Sequence, residues 1–209
     1  MLKILLLLGA LISPSALAFD FSTKSSHIIF DDDIKPTKYT ISKNSIKATV
    51  SKSASALIYA FDTVTPIKTV SFEWRSQGKL KVRNAGHEKS KKGDDYKLRV
   101  GLILSGKAPM IPFFAPGWVK AIKSAMKLPS NKLRYLAVDA KHPAGKSWES
   151  PYSDSMTNVS LPSKDLGNGW NLAVYSSKRP HNVVGVWVMA DGDNTKSSFE
   201  SEIRNLRLR

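Results

Sequence analysis

The chain has 209 residues, no cysteine and a formal net charge of +15. The missing thiols exclude disulfides, thiolate nucleophiles, cysteine-ligated zinc and a lipidated-cysteine anchor. The positive excess favours anionic partners, such as acidic polysaccharide, lipopolysaccharide phosphate or nucleic acid, because net charge governs association more than fold.

The first residues have the layout of a secretory signal peptide. Lys3 supplies a positive start, Ile4 to Leu8 open an apolar run that reaches Ile12, and Ser13-Pro14-Ser15 break it. Ala16-Leu17-Ala18 then puts small residues where a signal peptidase cuts. The run falls short of the roughly 20 residues that span a bilayer. The expectation is a leader over 1–18, cleaved after Ala18, and a single domain over 19–209. A cysteine-free exported domain suits the bacterial periplasm or exterior.

Period-two alternation dominates the rest of the chain. Ile46, Ala48 and Val50 alternate with Lys47 and Thr49, and Val70, Phe72 and Trp74 with Ser71, Glu73 and Arg75. Tyr96, Leu98, Val100, Leu102 and Leu104 share one parity against Lys97, Arg99 and Gly101. Such runs put one face on a core and one in water, as in antiparallel sheets. Further strands are predicted over 56–61, 133–139, 158–161, 170–175 and 183–190. The last is apolar at nearly every position and reads as a central strand covered on both faces. Turn clusters separate these runs: Ser76-Gln77-Gly78, Gly93-Asp94-Asp95, Gly167-Asn168-Gly169 and Asp191-Gly192-Asp193-Asn194. In the closing stretch, Ile203 has opposite parity to Leu206 and Leu208, so a bulge is expected near Arg204-Asn205. Many short strands with such turns argue for a β-sandwich or barrel.

One segment, 107–132, breaks the pattern. Pro109, Pro112 and Pro116 surround Met110, Ile111, Phe113 and Phe114, and Trp118, Ile122, Ala125 and Met126 then recur at helical spacing. The expectation is a proline-rich loop and a short amphipathic helix inserted between two strands.

The order of motifs resembles a known family. Pro36-Thr37-Lys38-Tyr39, Ser53-Ala54-Ser55-Ala56-Leu57, Thr65-Pro66 before Phe72-Glu73-Trp74, and Gly93-Asp94-Asp95-Tyr96 come first. Leu133-Arg134-Tyr135, Trp148-Glu149-Ser150-Pro151-Tyr152 and Asp191-Gly192-Asp193-Asn194-Thr195 come later. This succession resembles a bacterial exported family catalogued as a domain of unknown function, number 3047. The resemblance implies a jelly-roll domain comparable to carbohydrate-binding modules. The expected fold is therefore all-β: a two-sheet antiparallel jelly-roll sandwich with one short helical insertion.

Three groups of residues carry candidate chemistry. Tyr135, His142, Trp148, Glu149 and Tyr152 gather aromatic rings and polar groups in or near one loop, as a sugar cleft requires. Lys79, Lys81 and Arg83 alternate on one strand, and a hairpin returning through Lys97 and Arg99 would extend them into a cationic stripe along a polyanion. Lysine protection of an edge strand is the plainer reading of that stripe. Asp191, Asp193 and Asn194 offer hard oxygen ligands for a structural calcium, or else form an Asx-type turn. An EF-hand is excluded because Lys196 stands where its loop needs glycine. Asp94-Asp95 reads as a turn cap plus a partner for a nearby loop lysine rather than an acid–base pair.

The preferred function is non-catalytic binding of a glycan by a monomer, with no cofactor beyond that candidate calcium. The charge excess favours an anionic glycan. The alternatives are an envelope-surface protein meeting lipid or lipopolysaccharide through the stripe and insertion, and a polysaccharide-active enzyme using His142 or Tyr152 as base. No motif for specific nucleic-acid recognition, no nucleophile elbow and no P-loop is present.

Overall fold

A computed structural model describes residues 18–107 and 116–209. The expected leader up to residue 17 and the proline-rich stretch 108–115 lie outside the described residues. The strands are β1 (Ser26–Ile29), β2 (Lys38–Ile41), β3 (Ser45–Ser51), β4 (Ser55–Lys79), β5 (Arg99–Ser105), β6 (Ser130–Ala137), β7 (Ser147–Ser150), β8 (Ser153–Ser160), β9 (Ser163–Gly167), β10 (Trp170–Met189) and β11 (Ser198–Leu208). Two helices, α1 (Ala85–Glu88) and α2 (Gly117–Ala125), flank β5.

The strands hydrogen-bond in the order β2-β3-β11-β4-β10-β5-β6-β8-β7, with β1 added on β4 and β9 on β10. The expectation of two separate, wholly antiparallel sheets is corrected: this is one mixed sheet, in which β6 and β8 run parallel. The physical reason lies in β4 and β10. Each continues through positions read as breaks, with Pro66 inside β4, opposite Asn182 of β10. Their register shifts between Ser176 and His181 and again between Val183 and Gly185, so each strand runs on through irregularities where separate shorter strands were expected. Both halves of β4 feed one core. Leu57 and Tyr59 pack in the same buried cluster as Val70, Phe72 and Trp74, together with Val100, Leu102, Val186 and Val188.

Ser76-Gln77-Gly78, read as a turn, belongs to β4. Gly78 has φ +108°, and a Cβ there would meet Phe199 at 3.0 Å, so the glycine serves the close passage of β4 beside β11. The expected bulge in β11 is present: its register to β4 shifts between Arg204 and Arg207, and Asn205 takes φ +53°. That extra residue returns Leu206 to the core that already holds Ile203.

The run 183–190 is covered on both faces, as expected. On the second face, Ala56 and Ile58 of β4, Ile103 of β5, Tyr135 of β6 and Trp187 of β10 form another buried cluster. Helix α2 lies over it through Trp118, Ala121, Ile122, Ala125 and Met126, and Lys127 ties the helix end to Asp62 at 2.6 Å. The helical spacing therefore serves packing.

Candidate ligand-binding site

Where α2 and the sheet meet, the second face opens into a cavity of about 250 Å³. Its apolar wall comes from Trp187 and Met189 at the end of β10, Trp118 of α2, Met156 of β8, and Phe30 and Ile34 after β1. Its polar wall comes from Arg99 and Tyr135, from Asp94 before β5, from Ser150 and Tyr152, and from Asp191, Asp193 and Asn194 after β10. Ala54 and the exposed Asp31 complete the lining.

Arg99 organises the polar side. It is 2% exposed, with its guanidinium carbon 4.4 Å from the ring centre of Tyr96 and 4.6 Å from that of Tyr135. Nη2 donates to Asp191 Oδ2 at 2.7 Å and Nη1 to Asp94 Oδ2 at 3.2 Å. Burial works against the guanidinium charge, but Asp191 and Asp94 outweigh it and keep Arg99 protonated. Burial likewise pushes Asp191 well above the usual carboxylate range, against the pull of Arg99, and Asp95 and Asp94 add to the rise. Because arginine cannot neutralise itself, attraction decides the outcome and the Arg99–Asp191 contact is ionic.

Asp95 does a different job. It accepts from the backbone N–H groups of Asn194 (3.2 Å) and Thr195 (2.6 Å), from the Asn194 amide (3.1 Å) and from the Thr195 hydroxyl (2.6 Å). The loop after β10 is thus clamped by a residue almost a hundred positions earlier. Asp94 pairs with an arginine of β5, which corrects the expected partnership with a loop lysine.

Asp95, Asp191 and Asp193 bring carboxylate oxygens within 4.8 Å of one another. Asn194 turns elsewhere: its amide donates to Asp95 and its Oδ1 accepts from the Tyr152 hydroxyl at 3.0 Å. Both oxygens of Asp95 and both of Asp191 already accept hydrogen bonds, those of Asp191 from the Tyr96 N–H and Arg99. A calcium ion, which needs six to eight oxygens, would have to displace those donors. The bonding matches a clamped turn better than a cation cage.

Asp193 sits above its ordinary range because of burial and the nearby Asp95. A raised carboxyl means that the folded state holds the proton more tightly than the unfolded chain does, so ionisation of Asp193 costs stability as pH rises through the folded value. Asp193→Asn is expected to raise the melting temperature at pH 7. That gain should shrink as pH falls through the raised folded value of Asp193 and vanish below the ordinary carboxylate range, where the parent carboxyl is protonated in both states. Thermal scans across that range check it; an unchanged gain at every pH would show that ionisation is not the cause.

Of the residues singled out by sequence, Tyr135, Tyr152 and Arg99 meet at the cavity with Asp191, Asp193 and Asn194. Tyr152 is half exposed, and burial with the nearby Asp94 pushes its hydroxyl up to about 12, which keeps it a neutral donor. His142 and Trp148 go to the interior instead. Their rings stack with centres 4.0 Å apart, Trp148 packs on Tyr96 and Ala137, and His142 Nδ1 bonds Glu88 Oε2 at 2.5 Å. Glu88 also accepts from the backbone N–H groups of Lys141 and His142, so this group fastens α1 to the loop before β7. Glu149 is exposed on β7.

The cationic stripe does not assemble as expected. Lys79 ends β4, Lys81 and Arg83 lie beyond it in irregular backbone, and β5 pairs with β10 and β6 rather than with the end of β4. Arg99, assigned to that stripe, is buried. Sequence reasoning missed Phe30, Trp118 and Trp187 as cavity walls.

The family model described as Protein of unknown function (DUF3047) matches residues 25–207. The chain belongs to that family. A search of curated proteins found no match.

Proposed function

We propose that this chain is an exported, non-catalytic glycan-binding protein of the periplasm or cell exterior, acting as a monomer, with the cavity beneath α2 as its site. The observation that carries this is an aromatic wall, from Phe30, Trp118 and Trp187, facing convergent polar groups from Tyr152, Asp193 and Asn194. Rings cover the apolar face of a pyranose, and carboxylates, amides and hydroxyls orient its hydroxyl groups. We read the long bent strands, which share one core, as the two layers of a jelly roll joined through β4 and β10. The cavity volume is near the lower end of ligand pockets, about 300–1,000 Å³, which suits one sugar unit of a longer chain. The net charge of +15 would draw an anionic polysaccharide to the surface, leaving the cavity to choose the unit.

The competing readings have less support. A lyase would need His142 or Tyr152 as its base; His142 lines no part of this cavity, and the Tyr152 hydroxyl, pushed up to about 12, is held in its neutral form. Among the described residues, a lipid or lipopolysaccharide surface has exposed cations such as Lys79, Lys81 and Arg83 in its favour, while the apolar residues of α2 pack on the sheet. Glycan-array screening followed by calorimetry tests the proposal. Trp118→Ala and Tyr152→Ala are each expected to weaken binding about tenfold, the scale of one lost ring contact. Trp148→Ala should act through stability. No signal from any glycan would remove the proposal.

A further inference from the structure

Resting on the glycan-binding reading, we infer that the sugar unit taken by the cavity carries a protonated amine. On a chain with a net charge of +15, this cavity is locally acidic: among the described residues, Asp31, Asp94, Asp191 and Asp193 line it against the single cation Arg99. Arg99 is already matched by Asp191 and Asp94 at 2.7 and 3.2 Å, so it offers no net charge to an incoming anion. Asp193 is the least committed of the three carboxylates on the polar wall that are not exposed: unlike Asp94 and Asp191 it makes no ion pair, and its side chain receives a 3.4 Å bond from the adjacent Asn194 amide.

The aromatic wall points the same way. Phe30 stacks on Trp187 with centres 6.2 Å apart and meets Trp118 edge to face, also at 6.2 Å. Ring faces beside carboxylates attract an organic ammonium through the ring quadrupole and the charge together. A separate observation asks for a polar ligand. Trp187 is 1% exposed and lines the cavity, and its indole Nε1 has no partner among the described residues. Arg99 Nε and Asp94 Oδ1 also lack one there. The Tyr96 hydroxyl pulls on the Asp94 carboxyl but does not reach hydrogen-bond geometry, so the indole and the guanidinium Nε carry this point. Sugar hydroxyls supply acceptors for those two donors, and an ammonium supplies the donor and charge for Asp193.

Other occupants fit less well. A uronate would face the carboxylates, and a hydrated divalent cation gains nothing from aromatic walls. The positive exterior repels a polycation, so the ligand presents one ammonium within a neutral or anionic glycan.

Titrating the full protein at pH 6 with a glucosamine disaccharide and with its N-acetylated twin tests this, read by calorimetry and tryptophan fluorescence. The free amine is expected to bind about tenfold tighter. Asp193→Asn should bring the ratio of the two affinities to about one, whatever it does to either affinity alone, and Trp118→Ala should weaken both sugars in parallel. Equal or tighter binding of the N-acetylated sugar overturns the amine and leaves the glycan reading standing. If neither sugar nor benzylammonium binds, both fall. If benzylammonium binds with the same dependence on Asp193 while neither sugar does, the ammonium preference is upheld and the sugar is removed.

Discussion

Arg99→Leu is expected to cost about 3–5 kcal/mol of folding stability, the scale for removing one partner of a buried ion pair. The loss comes chiefly from what stays behind. Asp191 and Asp94 are 1% and 3% exposed, and without the guanidinium they are two buried carboxylates with Asp95 beside them. Tyr96 and Tyr135 also lose the cation that both rings face. Urea unfolding measures the effect. A triple variant that adds Asp94→Asn and Asp191→Asn should recover a large part of it, because neutral amides carry no unpaired charge. Arg99→Lys should fall between, since a point charge on a flexible stem cannot span two carboxylates as a planar fork does. A cost below about 1 kcal/mol for Arg99→Leu, within the range of surface pairs, would contradict the buried triad.

Trp187→Ala should be comparably damaging, at about 3–5 kcal/mol for an aromatic core truncation. Trp187 is among the largest side chains fully enclosed by the protein, packed on Phe30 and edge to face with Tyr135 at 5.9 Å. Its cross-strand neighbour makes room for it: a Cβ on Gly101 would stand 2.8 Å from the Trp187 Cβ and from a Leu133 methyl. Truncation leaves a void beside the cavity, and the sheet, with β5 bonded to β10 on one side and β6 on the other, cannot close over it. Trp187→Phe should recover much of the stability while still lacking the indole N–H. Comparing the two variants by urea unfolding and by glycan calorimetry separates packing from ligand contact. If Trp187→Ala unfolds with an unchanged midpoint, the second face of the sheet is not the packed layer described here.

The parts of the fold that sequence made legible are those in which one face meets one core. The parity of Tyr96, Leu98, Val100 and Leu102 located β5 because those residues all enter the buried interior. The parity break in β11 announced its bulge for the same reason. Arg99 was misread by that logic. Alternation says that it points away from Leu98 and Val100, but not that a second layer covers the far face. That cover is built from α2 and the segment after β1, and its charge partner Asp191 is 92 residues away. His142 and Trp148 illustrate a related limit: a loop rich in rings looks the same whether the rings stack on each other or await a ligand. Asp95 was visible as half of an acidic pair, yet its task of holding Asn194 and Thr195 exists only once β5 and β10 lie side by side.

The continuity of β4 and β10 also bears on how the molecule comes apart. Two backbones running through both parts of the core leave no seam along which one part could peel away. Fraying is expected at short borders such as β2, β7 and β9, with the strands inside them opening together. A domain built this way forgoes cystine staples and relies on cooperativity, with a single opening barrier guarding nearly every interior amide.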